Sequence, residues 1–310
     1  RIDLFLTREN GAGMFYRNAG LHRFSDVTAE SGLGANLGGA VAVGDFNNDG
    51  LLDIFLASET QPELWQNNGK GTFTPDRNAV ASVRSVSRLE PRSAELLDYD
   101  NDGWLDVVVA GRRGVALLHN DGSGKFEDRP NLLPATLRSA RRVESAPIAV
   151  SDVDGDGDQD VFLADSAGVH LLRNNGGNAK LAMDLQLVGL RTGSGKNNNF
   201  GIGAKIEVRA GAIYQTRVVT GRITHFGLGP HLKADVVRVE WTNGVPETIY
   251  FPGTDQDILE LERLKGSCAF LYTWDGKEFR FVTDVMWRRA LGMPVGIIGG
   301  GSTAYEPAGA

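Results

Sequence analysis

The chain has 310 residues, 41% apolar and 23% charged, with a formal net charge of −7. That length leaves room for two or three domains, and no apolar run reaches the length of a membrane-spanning helix. The single cysteine, Cys268, excludes a disulfide scaffold, and neither a nucleic-acid partner nor a membrane span is expected. Glycine is frequent, at 40 residues, and clusters in turn-like stretches, which favours many short strands over long helices.

From the N-terminus, Asp3-Leu4-Phe5-Leu6 and Tyr16-Arg17-Asn18-Ala19-Gly20 foreshadow segments that return about 50 residues later, at Asp53–Leu56 and around Asn67. This register predicts that Arg1 falls inside a motif whose opening is absent, so the chain is expected to be part of a longer protein. The complete motif first occurs as Asp45-Phe46-Asn47-Asn48-Asp49-Gly50-Leu51-Leu52-Asp53. It returns at Asp98–Asp106 and at Asp152–Asp160, spaced by 53 and 54 residues. A period near 50 is that of a propeller blade or an array unit.

In each copy oxygen-bearing side chains occupy the first, third, fifth and ninth positions, with Gly sixth: Asp45, Asn47, Asp49, Asp53; Asp98, Asp100, Asp102, Asp106; Asp152, Asp154, Asp156, Asp160. This alternation aims hard oxygen donors at one point, as Ca²⁺ requires. The backbone carbonyls of Leu51, Trp104 and Asp158, at the seventh position, could add a further oxygen. One Ca²⁺ per complete motif, three in all, is the expectation. An EF-hand is excluded because its closing glutamate position holds Leu56, Val109 and Leu163. Closure therefore falls to the ninth-position aspartates. Zn²⁺ is disfavoured because no His or Cys joins the cluster in sequence. The loops hold enough aspartates to account for the net charge, so the acidity reads as local metal chemistry.

Apolar strand-like runs flank each motif: Val41-Ala42-Val43 and Ile54-Phe55-Leu56, Glu95-Leu96-Leu97 and Val107-Val108-Val109, Ile148-Ala149-Val150 and Val161-Phe162-Leu163. Turn tripeptides follow at Asn67-Asn68-Gly69, Asn120-Asp121-Gly122 and Asn174-Asn175-Gly176. Each unit thus reads strand, acidic loop, strand, strand, turn, strand, which is four strands and one blade.

Residues 1 to about 178 resemble the FG-GAP/VCBS repeats of integrin α-chain propellers and their bacterial relatives, on the strength of the repeated D-x-[DN]-x-[DN]-G-x-x-D loop. The resemblance implies calcium in each loop. Further on, Asn199-Phe200-Gly201-Ile202-Gly203-Ala204-Lys205-Ile206, Tyr214-Gln215-Thr216-Arg217, His225-Phe226-Gly227-Leu228-Gly229 and Val236–Gly244 resemble the ASPIC/UnbV domain. The combination is similar to the cartilage-acidic-protein-like family and implies an exported calcium-binding protein with no known reaction. The expected fold is all-β: β-propeller blades over 1–178, a β-sandwich-like module over 179–265, and the start of a further β-rich domain over 266–310.

Other features carry bland readings. His225 and His231 have no carboxylate spaced to orient them, and His119 and His170 read as packing residues. Gly193-Ser194-Gly195-Lys196 lacks the remainder of a phosphate loop, and Gly201-Ile202-Gly203 lacks that of a dinucleotide site. Arg112-Arg113 and the Arg138–Arg142 stretch read as solvated loops. Trp65 and Trp104 read as packing first and sugar stacking second, and Cys268 reads as buried. The expected function is a non-enzymatic extracellular or cell-surface interaction protein, with a protein or glycan ligand. The alternative is an accessory or glycan-binding propeller region of a carbohydrate-active enzyme.

Overall fold

A computed structural model describes residues 2–8, 13–33, 38–138, 147–166, 168–176, 180–190, 197–254, 257–262, 269–274, 276–277 and 279–285. The chain divides into two compact units, 1–262 and 263–310.

The first unit opens with four antiparallel meanders. They are β1 (Leu4–Leu6), β2 (Met14–Gly20) and β3 (Arg23–Asp26); β4 (Ala40–Gly44), β5 (Asp53–Ala57), β6 (Glu63–Asn67) and β7 (Phe73–Pro75); β8 (Pro91–Leu97), β9 (Asp106–Gly111), β10 (Gly114–Asn120) and β11 (Phe126–Asp128); and β12 (Ile148–Ser151), β13 (Asp160–Asp165) and β14 (Gly168–Leu172). These are the expected blades. Every acidic loop joins the first strand of a sheet to the second, and β4 lies beside β8, which lies beside β12.

The continuous apolar runs follow from this stacking. A strand alternates its side chains between two faces, and here both faces meet a neighbouring blade. Val107 and Val109 pack with Phe46, Phe55 and Phe126 of one core. Val108 and Ala110, one residue out of step, pack with Val161 and Leu163 of the next. Likewise Ile54 and Leu56 join Phe15 and Phe73 in a third core. The outer-strand phenylalanines bind blade to blade, Phe73 edge-on to Phe15 at 5.7 Å and Phe126 edge-on to Phe46 at 5.5 Å.

The last meander departs from the expected four strands. Among the described residues it has three, because after Asn174-Asn175-Gly176 no phenylalanine stands where Phe73 and Phe126 do. The chain runs instead through Lys180 into β15 (Leu181–Val188).

That strand begins a second β module of two sheets. One has the order β18 (Thr224–Gly229), β15, β21 (Asp257–Leu261); the other has β17 (Ile213–Val218), β16 (Lys205–Ala210), β19 (Val236–Glu240), β20 (Pro246–Tyr250). The inward faces share a core of Met183, Leu185, Leu187, Ile206, Val208, Phe226, Leu228, Val237, Val239 and Trp241. Trp241 keeps its indole N–H satisfied by donating to Glu247 Oε2 at 3.0 Å. Gly201, at φ 63, lets the preceding loop lie against Leu187 and Trp241. In the second unit, β22 (Ala269–Trp274) and β23 (Phe279–Val285) form an antiparallel hairpin. Cys268, Gly193–Lys196 and residues 139–142 lie outside the described residues.

Candidate metal centres

The three acidic loops share one backbone design. The first-position carboxylate caps the turn. Asp45 accepts the backbone N–H groups of Asp49 and Gly50 at 3.0 and 2.9 Å, and Asp98 those of Asp102 and Gly103 at 3.0 and 2.8 Å. Asp152 accepts those of Gly155 and Gly157 at 2.8 and 2.9 Å. The fourth and sixth positions are left-handed throughout: Asn48 and Asn101 at φ 55, Gly155 at φ 76, and Gly50, Gly103 and Gly157 near φ 88. Only Gly and Asn accept that geometry cheaply, hence their recurrence.

The ninth-position aspartates are buried and staple the loop to the hairpin. Asp53 accepts from the N–H of Phe46 at 3.3 Å and of Asn67 at 2.8 Å. Asp106 does the same for Tyr99 and Asn120 at 3.1 and 2.8 Å, and Asp160 for Val153 and Asn174 at 3.1 and 2.7 Å. The turn asparagines reach further. Asn120 Nδ2 donates to the carbonyl of Phe46 at 2.9 Å, and Asn174 Nδ2 to that of Tyr99 at 2.6 Å, each in the preceding loop. In the other direction, Asn48 Nδ2 donates to Gly103 O and Asn101 Nδ2 to Gly157 O, both at 3.2 Å.

Within this scaffold the acids converge unequally. Carboxylate oxygens of Asp98, Asp100 and Asp102 lie within 4.8 Å of one another, and so do those of Asp152, Asp154 and Asp160. A third group of the same span unites Asp100 and Asp106 with His119. Loop 45–53 forms no such triad among the described residues; its third position is the amide Asn47, whose Oδ1 accepts the Asp49 N–H at 3.1 Å. Asp156 turns onto the Asp158 N–H at 3.0 Å, and Asp158 itself meets Asn101 Nδ2 at 2.9 Å.

Burial makes this proximity costly. Desolvation, then the like charge of Asp106, pushes Asp98 up to about 7. Burial also lifts Asp53 to about 7 and Asp106 to about 6. Asp100 Oδ1 is buried without a hydrogen-bond partner, which leaves an acceptor open to an ion or a water. Such a donor set, all oxygen in loop 152–160 and nearly so in 98–106, fits a hard divalent ion.

Several histidines and cations join these loops unannounced by sequence. His119 does more than pack: its Nδ1 sits 3.0 Å from Asp106 Oδ1. His225 is oriented by Asp184, at 2.7 Å, and its Nε2 meets Asn101 Oδ1 at 2.8 Å. A carboxylate does therefore position it, one 41 residues away that pairs through the β15–β18 ladder. Lys180 Nζ lies 2.8 Å from Asp100 and 3.7 Å from Asp102, and Arg173 pairs with Asp154. Arg217 is buried beneath the loops, with its charge acting on Asp98 and Asp45. His170 pairs with Asp165 at 3.1 Å, and Arg113 with Glu90 at 2.7 Å. Trp65 is buried and donates to Glu63 at 2.9 Å, while Trp104 lies under Gly122, where a Cβ would come within 2.6 Å of its ring.

The fold and its loops define a class: an all-β repeat protein whose acidic loops sit at the same corner of successive blades. The comparisons make this specific. Residues 1–56, 45–87 and 98–148 match the FG-GAP-like repeat, and residues 193–265 match ASPIC and UnbV. The chain carries FG-GAP-like repeats followed by an ASPIC and UnbV segment. It is similar to cartilage acidic protein 1 of Homo sapiens, with 27% identity over 78% of this chain and 39% of that protein. The Xenopus tropicalis counterpart is 30% identical over 46% of this chain and 22% of its own length. Integrin alpha-4 of Xenopus laevis is 29% identical over 44% of this chain and 15% of its own length. The chain thus spans about two fifths, or less, of these relatives. A solved lectin of Agrocybe aegerita, described for recognition of non-reducing terminal N-acetylglucosamine, aligns over 57% of this chain and 50% of its own at 22% identity and TM-score 0.40. Among the described residues, no helix is long and apolar enough to cross a membrane.

Proposed function

We propose that this chain is a calcium-stabilised interaction module of an extracellular or cell-surface protein, without an enzymatic role of its own. Calcium would be held by Asp98, Asp100, Asp102 and Asp106 in one loop and by Asp152, Asp154, Asp156 and Asp160 in the next. A third ion would sit on Asp45, Asn47, Asp49 and Asp53, and the seventh-position carbonyls of Leu51, Trp104 and Asp158 would each add an oxygen to the ion of their own loop. The observation that carries the reading is the convergence of three carboxylates within 4.8 Å in two separate loops of one repeated design. The ion would cancel repulsion that burial intensifies and hold the first two strands of each blade together. The resemblance to cartilage acidic protein 1 and to an integrin α chain supports placement outside the cell and an adhesive or binding role, and the loops of the rigid blades supply the contact surface.

For a dissociation constant of ~0.1 mM and about 1 mM free Ca²⁺, each site stabilises the fold by about 1.4 kcal/mol, and three by about 4 kcal/mol. Differential scanning calorimetry in Ca²⁺ and in chelator is the test. A rise in Tm of about 10 °C with Ca²⁺ is expected, and coincident melts would sink the proposal.

A further inference from the structure

We infer that the chain carries its own counter-ions for the acidic loops. Lys180 in loop 98–106 and Arg173 in loop 152–160 are tethered cations that compete with Ca²⁺ and set how tightly each loop takes it. This rests on the calcium reading of the loops and adds what regulates them.

The third position of the motif decides where such a cation stands. In the central repeat it is Asp100, and Lys180 Nζ lies 2.8 Å from its Oδ2 and 3.7 Å from Asp102 Oδ2. In the later repeat it is Asp154, and Arg173 pairs with it. In the first complete repeat it is the neutral Asn47, whose Nδ2 donates to Asp49 Oδ2 at 3.0 Å. Among the described residues, no lysine or arginine forms an ion pair with that loop. The two cations also reach their loops from different places. Arg173 follows β14 directly, and its equivalents in the other repeats are Gln66 and His119, whereas Lys180 stands just before β15. Each third-position carboxylate has thus recruited its charge separately. The buried Arg217 acts on Asp45 and Asp98 alike, so it does not distinguish the loops.

A carboxylate held by an ammonium gives up that attraction when a dication arrives. Calcium on Asp100 must either displace Lys180 or bear its repulsion at short range, and both weaken binding. Without the ion the same lysine offsets the mutual repulsion of Asp98, Asp100 and Asp102, whose oxygens lie within 4.8 Å of one another. Lys180 is about a third exposed, so water screens the pair in part and the effect is moderate. The sign reverses between the two states. An ordinary surface ion pair, by contrast, would stabilise the fold with or without calcium.

The test is calorimetric Ca²⁺ titration of the metal-stripped chain, with melts in chelator and in saturating Ca²⁺. In Lys180→Met one site should bind Ca²⁺ about tenfold more tightly. Its melt should drop by about 3 °C in chelator and not at all in Ca²⁺. Lys180→Arg, which keeps the charge, should keep the wild-type affinity. Arg173→Met should tighten a site in the same way, and it carries the test alone if Lys180→Met does not fold. Unchanged affinity in either folded methionine variant overturns the inference and leaves the calcium reading standing. An equal loss of stability in both buffers does the same. If the wild type takes up no Ca²⁺, both readings fall.

Discussion

Loops 98–106 and 152–160 have nearly the same acids, yet they live in different surroundings. In the central loop Asp98, Asn101, Gly103 and Asp106 are buried. The second module lies directly on it, with the Gly229 N–H donating to Asn101 O at 2.8 Å and His225 Nε2 meeting Asn101 Oδ1 at 2.8 Å. In the later loop Asp154, Gly155 and Asp156 are exposed, and water can screen what the protein does not neutralise. One motif is therefore a junction and the other a surface turn. The difference comes from what packs on the motif and not from the motif itself.

The sharpest way to break this contrast is Gly227→Ala. A Cβ there would meet the Asp98 carboxylate and come within 2.6 Å of Asn101 Cα. Backbone contact cannot rotate away, so a loss of about 3 kcal/mol in urea unfolding is expected. Unchanged stability would mean that the module does not press on the central loop. Next comes Asn101→Ala, which removes donors to Gly157 O and Asp158 and the acceptor of His225. About 2 kcal/mol should be lost, measurable as a shifted urea midpoint at constant slope.

Asp102→Ala should abolish about 1.4 kcal/mol of calcium-dependent stabilisation, read as the calcium-induced Tm shift against chelator. Asp156→Ala, in the exposed loop, should remove less. Acidity gives a further test with a defined sign. Burial raises Asp98 to about 7 and Asp106 to about 6, above the usual ~4 of an unfolded aspartate. The metal-free protein binds more protons folded than unfolded, so its stability falls as pH rises from about 4 to about 7. Saturating Ca²⁺, which requires the ionised carboxylates, should reverse that trend. A metal-free melt that improves with pH over this window would contradict the assignment.

The smallest effect is expected for Gly155→Asn. The equivalent residues Asn48 and Asn101 hold φ 55, and a Cβ at Gly155 meets nothing within 4 Å. A change below about 0.5 kcal/mol is expected, and a large loss would show that the three loops are not interchangeable in backbone.

The blades were legible because their signals are local. Loop, turn and apolar run lie within a few residues of one another, and each depends on neighbouring backbone. Val107 to Val109 could be read as buried on both faces from composition alone. What stayed hidden depends on chain folding over long separations. The absence of a carboxylate near His225 in sequence says nothing about Asp184, which reaches it across paired strands. Lys180 stands 80 residues from Asp100, and nothing in its neighbours in sequence points to that loop. His119 read as filler because strand alternation does not reveal which loop a side chain will lean toward. The three-stranded last meander was foreshadowed by the missing phenylalanine after Asn174, a cue visible once Phe73 and Phe126 are seen to bridge blades.

The asparagines that start the second and third turns close the loop of the blade before them, Asn120 at Phe46 and Asn174 at Tyr99. A loop emerging during synthesis thus waits some 70 residues for its seal, since those contacts span 74 and 75 positions. Maturation of the array must lag translation by more than one unit, and a truncation ahead of a blade's turn would leave its predecessor's loop ajar as well as its own.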